Sequence, residues 1–438
     1  MNPHLFLPLL FTLSLPALVG CTALRRPAAA ANAESLNFKK AVPTGQALSP
    51  NAGIDDLVRH ALAHNPDLAA SQARVERAEQ KAPQVSALPD PVAMVSLGNM
   101  AQTASGRVTA MTGLQQKLPL PGKLSAKARM ADEEAAAARA MRDARVLSLT
   151  AQVKSAYWDL FQAEQALRIL NQSRPLIDSV QAAVETRLKT NRANQADLLQ
   201  VTTESARLDE QIIQSKRDVT ISRARLNTLL HRTPESALPA ARWQSDLGNL
   251  SEPPPLESHP AVAQANARLR QFNAQLKLAQ LERFPDLTVG LQHGAVSSSG
   301  RSPVADGRDQ LYATLGVNIP IWQAPRNAAV EEARAGQRES EAGIAAACDD
   351  LSYQLSDTRA RVETQRRLIS LFDDRILAES RQAFEVSLSA YSSSNLEFVD
   401  LIERWRRWLG YEIQQVMNRA MMGKAVAAWE SAAGILPR

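Results

Sequence analysis

The residues of this 438-residue chain that invite a chemical reading are a cysteine closing an apolar leader and several closely spaced acids. Leu5 to Val19 is an apolar run, too short and too interrupted by proline for a stable spanning helix, and it ends in Leu18-Val19-Gly20-Cys21. A branched apolar residue, small residues and then cysteine resemble the bacterial lipobox, in which the thiol is acylated and the cysteine becomes the mature N-terminus. Residues 1–20 therefore read as a lipoprotein signal peptide, with Cys21 as the lipidation site. Met1-Asn2-Pro3-His4 lacks the usual positive charge, so an ordinary secretory signal followed by an incidental cysteine stays open. Cys348 is then left without a partner and reads as a small packed residue in an Ala-rich helix. Asp400 and Glu403 stand three apart, which puts both carboxylates on one helix face. The bland alternative pairs them with Arg404 and Arg407 as solvated surface charges. Glu133-Glu134 and Asp349-Asp350 lie in helical stretches and read as solvated faces. Met94, Met100 and Met111 offer thioethers that suit soft metals, although methionines in a strand more often serve packing.

No Gly-rich phosphate loop, His-Glu-x-x-His pattern or nucleophile elbow is present, so no enzymatic activity and no cofactor are expected. Six scattered histidines and two cysteines give no metal centre and no disulfide scaffold. A net charge of +5 is mild for this length, and Arg404-Trp405-Arg406-Arg407 is too isolated for a nucleic-acid footprint.

These residues are positioned by a duplicated chain. His64-Asn65-Pro66-Asp67-Leu68 is echoed by Ser258-His259-Pro260-Ala261-Val262, and Leu118-Pro119-Leu120 by Ile319-Pro320-Ile321. Ala196-Asp197-Leu198-Leu199-Gln200 returns as Val399-Asp400-Leu401-Ile402-Glu403. An extended segment, 21–52, leads into a first repeat, 53–231. A linker, 232–257, contains Ser251-Glu252-Pro253-Pro254-Pro255 and precedes the second repeat, 258–430, and a tail, 431–438. Each repeat reads as helix, two strands, very long helix, turn, helix. Strands are expected at about 91–98 and 108–118, then at about 286–293 and 309–319. Leu287 to Gln292 alternates strictly, and Ala313, Leu315 and Val317 oppose Tyr312, Thr314, Gly316 and Asn318. The tip turns fall at about 191–195 and 393–396.

From Lys123 to about Thr190, Val146, Val153, Leu160 and Leu167 form one heptad seam and Leu149, Ala156, Ala163 and Leu170 its companion. Leu355, Val362, Ile369 and Ile376 repeat the pattern from Arg326 to about Ser392. Such a helix is a rod of roughly 100 Å, which no globular domain encloses. Pro175 should kink the first rod or break it near Asn171. The fold class is mainly α with a small β part. Four membrane-length strands cannot close a barrel, which needs about eight, so the barrel must be shared between chains.

On this duplicated layout the chain, from about Gly53 to Glu430, resembles the TolC-family outer-membrane efflux channels. Gln115-Gln116-Lys117-Leu118-Pro119-Leu120-Pro121-Gly122-Lys123 is similar to the strand-to-helix junction of the heavy-metal (cobalt–zinc–cadmium) export branch. The resemblance implies a homotrimer, a shared barrel in the outer membrane and a coiled-coil helical barrel in the periplasm. It also implies a periplasmic adaptor and an inner-membrane pump, usually of the resistance-nodulation-division type, exporting metal cations or drugs. By the same resemblance, Asn191 and Ser394 sit at adaptor-docking tip turns, Tyr391 and Asp197 form a tip lock, and Asp400 and Glu403 ring the periplasmic aperture. From the sequence alone Asp197 reads equally well as a helix N-cap. Leu396 and Ala196 stand where relatives carry a second, arginine–threonine lock. The rival reading is a lipidated periplasmic adaptor, which would lack the duplicated membrane strands.

Overall fold

The computed structural model describes residues 48–98, 102–190, 193–244, 247, 250–298, 306–393 and 396–437, all within one compact unit. Cys21, Met100, Asn191 and Ser394 lie outside these residues.

Three short helices open the first repeat: α1 (Ile54–His64), α2 (Pro66–Glu79) and α3 (Lys81–Ser86). Asn65 caps α2 with its side chain, accepting from the Asp67 and Leu68 amides, and Pro66 supplies a pre-set φ at the first helical position. Strands β1 (Val92–Leu97), β2 (Gln102–Thr103) and β3 (Gly106–Leu118) follow, then the rod α4 (Lys123–Lys189) and its return α5 (Gln195–Leu229). The second repeat holds α6 (Pro260–Leu281), β4 (Leu287–Ser297), β5 (Gln310–Val317) and α7 (Gln323–Leu371). A π-helical turn, Phe372–Ile376, joins α7 to α8 (Leu377–Ser392), and α9 (Phe398–Ala432) returns.

The sheet is antiparallel in the order β1-β3-β4-β5, with β2 attached to β3. Its register aligns Leu118, Leu287 and Val317, then Gln116, Val289 and Leu315, then Leu114, Leu291 and Ala313. Cross-strand partners share a face, so these rows make one apolar surface, on which Leu315 is 70% exposed. The opposite face carries Gln115, Gly290 and Thr314, then Gly113, Gln292 and Tyr312. β4 runs to Ser297, beyond the expected residue 293, because His293 and Val296 are tied to Asp309 across the hairpin. β5 stops at Val317, short of residue 319, where the Asn318 side chain turns to accept from the Asp286 amide.

The core lies along α4, against α5, α9 and the small helices. Val146, Leu149, Val153, Ala156, Leu160, Ala163 and Leu170 are buried there, as heptad packing requires. In the second seam Val362 is buried, whereas Leu355, Ile369 and Ile376 are only half-buried. The reason is position: α7 packs on α6 and α9 and keeps its other flank open. Pro175 sits inside α4 without ending it, and the π-turn interrupts the second rod at the corresponding depth. Among the described residues no helix is long and apolar enough to cross a membrane.

Candidate functional site

Two clusters bear on function: the junction between sheet and rods, and the hairpin tips. At the junction, Gly122 adopts φ 99°, a left-handed turn that swings the chain from β3 into α4, and a Cβ there would press on Leu281 at 3.1 Å. The next residue, Lys123, is buried. Its Nζ donates to Asp286 Oδ1 at 2.6 Å and to the Phe284 carbonyl at 2.9 Å. Asp286 also accepts from the Leu120 amide at 3.1 Å and pairs with Lys117 at 3.3 Å. Burial pushes the Asp286 carboxyl up, but these hydrogen bonds outweigh it and hold the group below its ordinary value. The clamp ties the start of β4 to the start of α4, so sheet and rod keep a fixed angle. The sequence flagged Lys123 as the end of a motif; its partner Asp286 carried no signal of its own.

At the first tip, Asn194 caps α5 by accepting from the Asp197 amide at 2.8 Å, and the Asp197 carboxylate accepts from the Asn194 amide at 3.3 Å. This is a capping box with Asp197 at its third helical position. Tyr391, near the end of α8, is 2% exposed and meets the Phe398 ring at 5.8 Å. Within one chain the Tyr391 hydroxyl and the Asp197 carboxylate do not hydrogen-bond. The hydroxyl is buried with no partner among the described residues. Burial raises its pKa, the Arg187 charge lowers it and the Asp197 charge raises it. Arg187 instead engages the tyrosine: its guanidinium lies 4.1 Å from the ring centroid and donates to the Tyr391 carbonyl.

Asp400 and Glu403 are exposed on α9, and Arg404 and Arg407 share that face. The spacing suits i,i+4 pairs, yet none of the four forms an ion pair among the described residues. Arg406, on another flank of α9, crosses to the first repeat. Its Nε donates to Glu204 Oε2 at 2.9 Å and its Nη2 donates to Oε1. Glu204 is an acid set in the apolar seam of α5 between Val201 and Leu208. An acid in that seam is the one sequence signal that points to a partner here. Among the described residues, no group of three or more His, Cys, Asp or Glu is placed to hold a metal ion.

The described chain is thus a long helical rod carrying a small sheet with one mainly apolar and one mainly polar face. The chain belongs to the outer membrane efflux protein family, whose model matches residues 57–231 and 255–434, one stretch in each repeat. Members of this family, which includes the TolC-type channels, are passive ducts and not enzymes. Among curated relatives, the pyoverdine export outer membrane protein OpmQ of Pseudomonas putida is 24% identical, over 87% of this chain and 86% of its own. The cobalt-zinc-cadmium resistance protein CzcC of Cupriavidus metallidurans is 22% identical, over 78% of this chain and 80% of its own. The fold is that of the outer membrane protein VceC of Vibrio cholerae (TM-score 0.73, 17% identity, 87% of this chain and 96% of that one). It is also that of CusC (TM-score 0.74, 19% identity, 90% and 97%).

Proposed function

We propose that three copies of this chain form a continuous exit duct across the outer membrane, fed from the periplasm by an adaptor and an inner-membrane pump of the resistance-nodulation-division type. The observation that carries the reading is a sheet with one exposed apolar face and two open edges. β1 and β5 are both edge strands, and four alternating strands preserve antiparallel order when β5 of one copy meets β1 of the next. The helices have matching open flanks: Leu199, Ile213 and Ile221 are exposed on α5, and Tyr353, Leu371 and Val386 on α7, the end of α7 and α8. Different surfaces that must meet make a heterologous contact, which closes into a ring. The adaptor alternative supplies no use for the apolar sheet.

The cargo class follows from relatives whose names point two ways, to a metal-resistance system and to pyoverdine export. The junction motif favours the metal branch, with drugs as the second class. Native mass measurement in mild detergent should give a threefold species, and that species should conduct in planar bilayers. A stable monomer as the sole species would overturn the duct.

Cys21 anchors the duct to outer-membrane lipid in this reading. Labelled fatty acid should be incorporated by the parent and lost in Cys21→Ser. Equal labelling of both would remove the anchor and leave the duct untouched.

A further inference from the structure

Below Pro175 and the π-turn, the two hairpins of one chain are joined side by side by α4 and α9, largely through apolar contacts such as Val184, Val201, Leu401 and Ile402. Apolar contacts are non-directional and permit neighbouring helices to slide or swing. Two arginine links cross the boundary in opposite senses. Arg187 of the first hairpin reaches the ring and carbonyl of Tyr391 in the second, and Arg406 of the second reaches Glu204 of the first. The second link is the more demanding. The Glu204 side chain is 5% exposed, and both its oxygens are taken by one guanidinium in a fork-to-fork arrangement. The Arg406 side chain is 39% exposed, so only the acid is taken out of water. Such a pair adds little net stability, because desolvation of Glu204 offsets much of the attraction, but the two-oxygen contact accepts only one geometry.

We propose that Glu204 and Arg406 are positioning residues that pin the two hairpins of each chain in the register that keeps the narrow end of the duct constricted. The inference rests on the duct reading above. It differs from the expected tip lock, since neither Asp197 nor the Tyr391 hydroxyl takes part. Losing the pin lets the α8–α9 hairpin move against α4–α5 while the apolar seam stays buried.

The test separates pinning from general stability. Glu204→Leu/Arg406→Leu replaces the pair by apolar side chains and removes the buried Glu204 charge, so thermal stability of the purified protein should stay close to the parent. Its single-channel conductance should nonetheless rise severalfold. Arg406→Lys, which keeps the charge and loses the fork, should lie between parent and double variant, and Arg217→Gln, an exposed arginine of α5 paired only with its neighbour Asp218, should conduct like the parent. A double variant with parental stability and parental conductance overturns the pin. If the parent itself forms no pores, the duct reading fails instead. Hydrogen exchange then still decides the pin: amides of α5 and α9 near the tips should exchange faster in the double variant, and parental rates there would overturn it.

Discussion

Gly423→Val should abolish assembly, and Gly423→Ala should lower stability by about 1–3 kcal/mol, the usual cost of overpacking a tight core. Gly423 lies within α9, where glycine ordinarily costs about 1 kcal/mol relative to alanine, so packing must justify it. A Cβ there would lie 2.2 Å from Trp158 Cε2 and 2.3 Å from Cδ2 and Nε1. Trp158 cannot yield, because it is 1% exposed and wedged edge-on against Tyr157, Phe161 and Trp243 at ring distances of 5.2, 5.5 and 5.8 Å. The indole therefore sets how closely α9 approaches α4 at the level where the linker crosses. Gly410, on the same helix, has nothing within 4 Å of its would-be Cβ, so Gly410→Ala should stabilise by about 0.5–1 kcal/mol. Thermal melts in detergent read both signs. Equal stabilisation by the two alanines would mean that Trp158 is not the constraint.

The features legible in the sequence are those that repeat. Heptads along α4 and period-two alternation in β4 persist over many residues, so a helix rod and a two-faced strand are legible without any long-range contact. Features made by a single long-range contact left almost no trace. Gly423 and Gly336 are sockets for Trp158 and Phe272, and nothing local to either glycine marks it as one. Glu204 and Asp286 take their roles from Arg406 and Lys123, which reach them from the other repeat. Pro175 shows the converse. Its local effect was legible, a lost hydrogen bond, but tertiary packing on both sides of Ser173 and Ile177 carries α4 through it. Tyr391 lies near the end of α8 and Asp197 in the first turn of α5, where its carboxylate serves a capping box, close to the helix-capping role that the sequence offered beside the lock.

Replacing the acids of α9 should reverse the ion preference of the duct rather than merely weaken it. Asp400 and Glu403 share their exposed face with Arg404 and Arg407, and no ion pair among the described residues cancels either sign. If this face of α9 lines the aperture, threefold symmetry makes each side chain a ring, with an acidic tier at the tip and a basic tier about one helical turn further in. Rings of carboxylates favour cations and rings of guanidiniums favour anions. In the parent the two tiers oppose one another, and the outer acids act first on ions entering from the periplasm. Asp400→Ala/Glu403→Ala leaves the arginines alone and makes the constriction net positive. The reversal potential under a potassium chloride gradient should then change sign, from cation-preferring to anion-preferring. Arg404→Gln/Arg407→Gln should move it the other way and strengthen block by trivalent cations. The measurement belongs at low ionic strength, because at about 0.15 M salt the field of each ring is screened within about 8 Å. A reversal potential identical in parent and both double variants would show that this face of α9 does not line the aperture, and the ring assignment would fall with it.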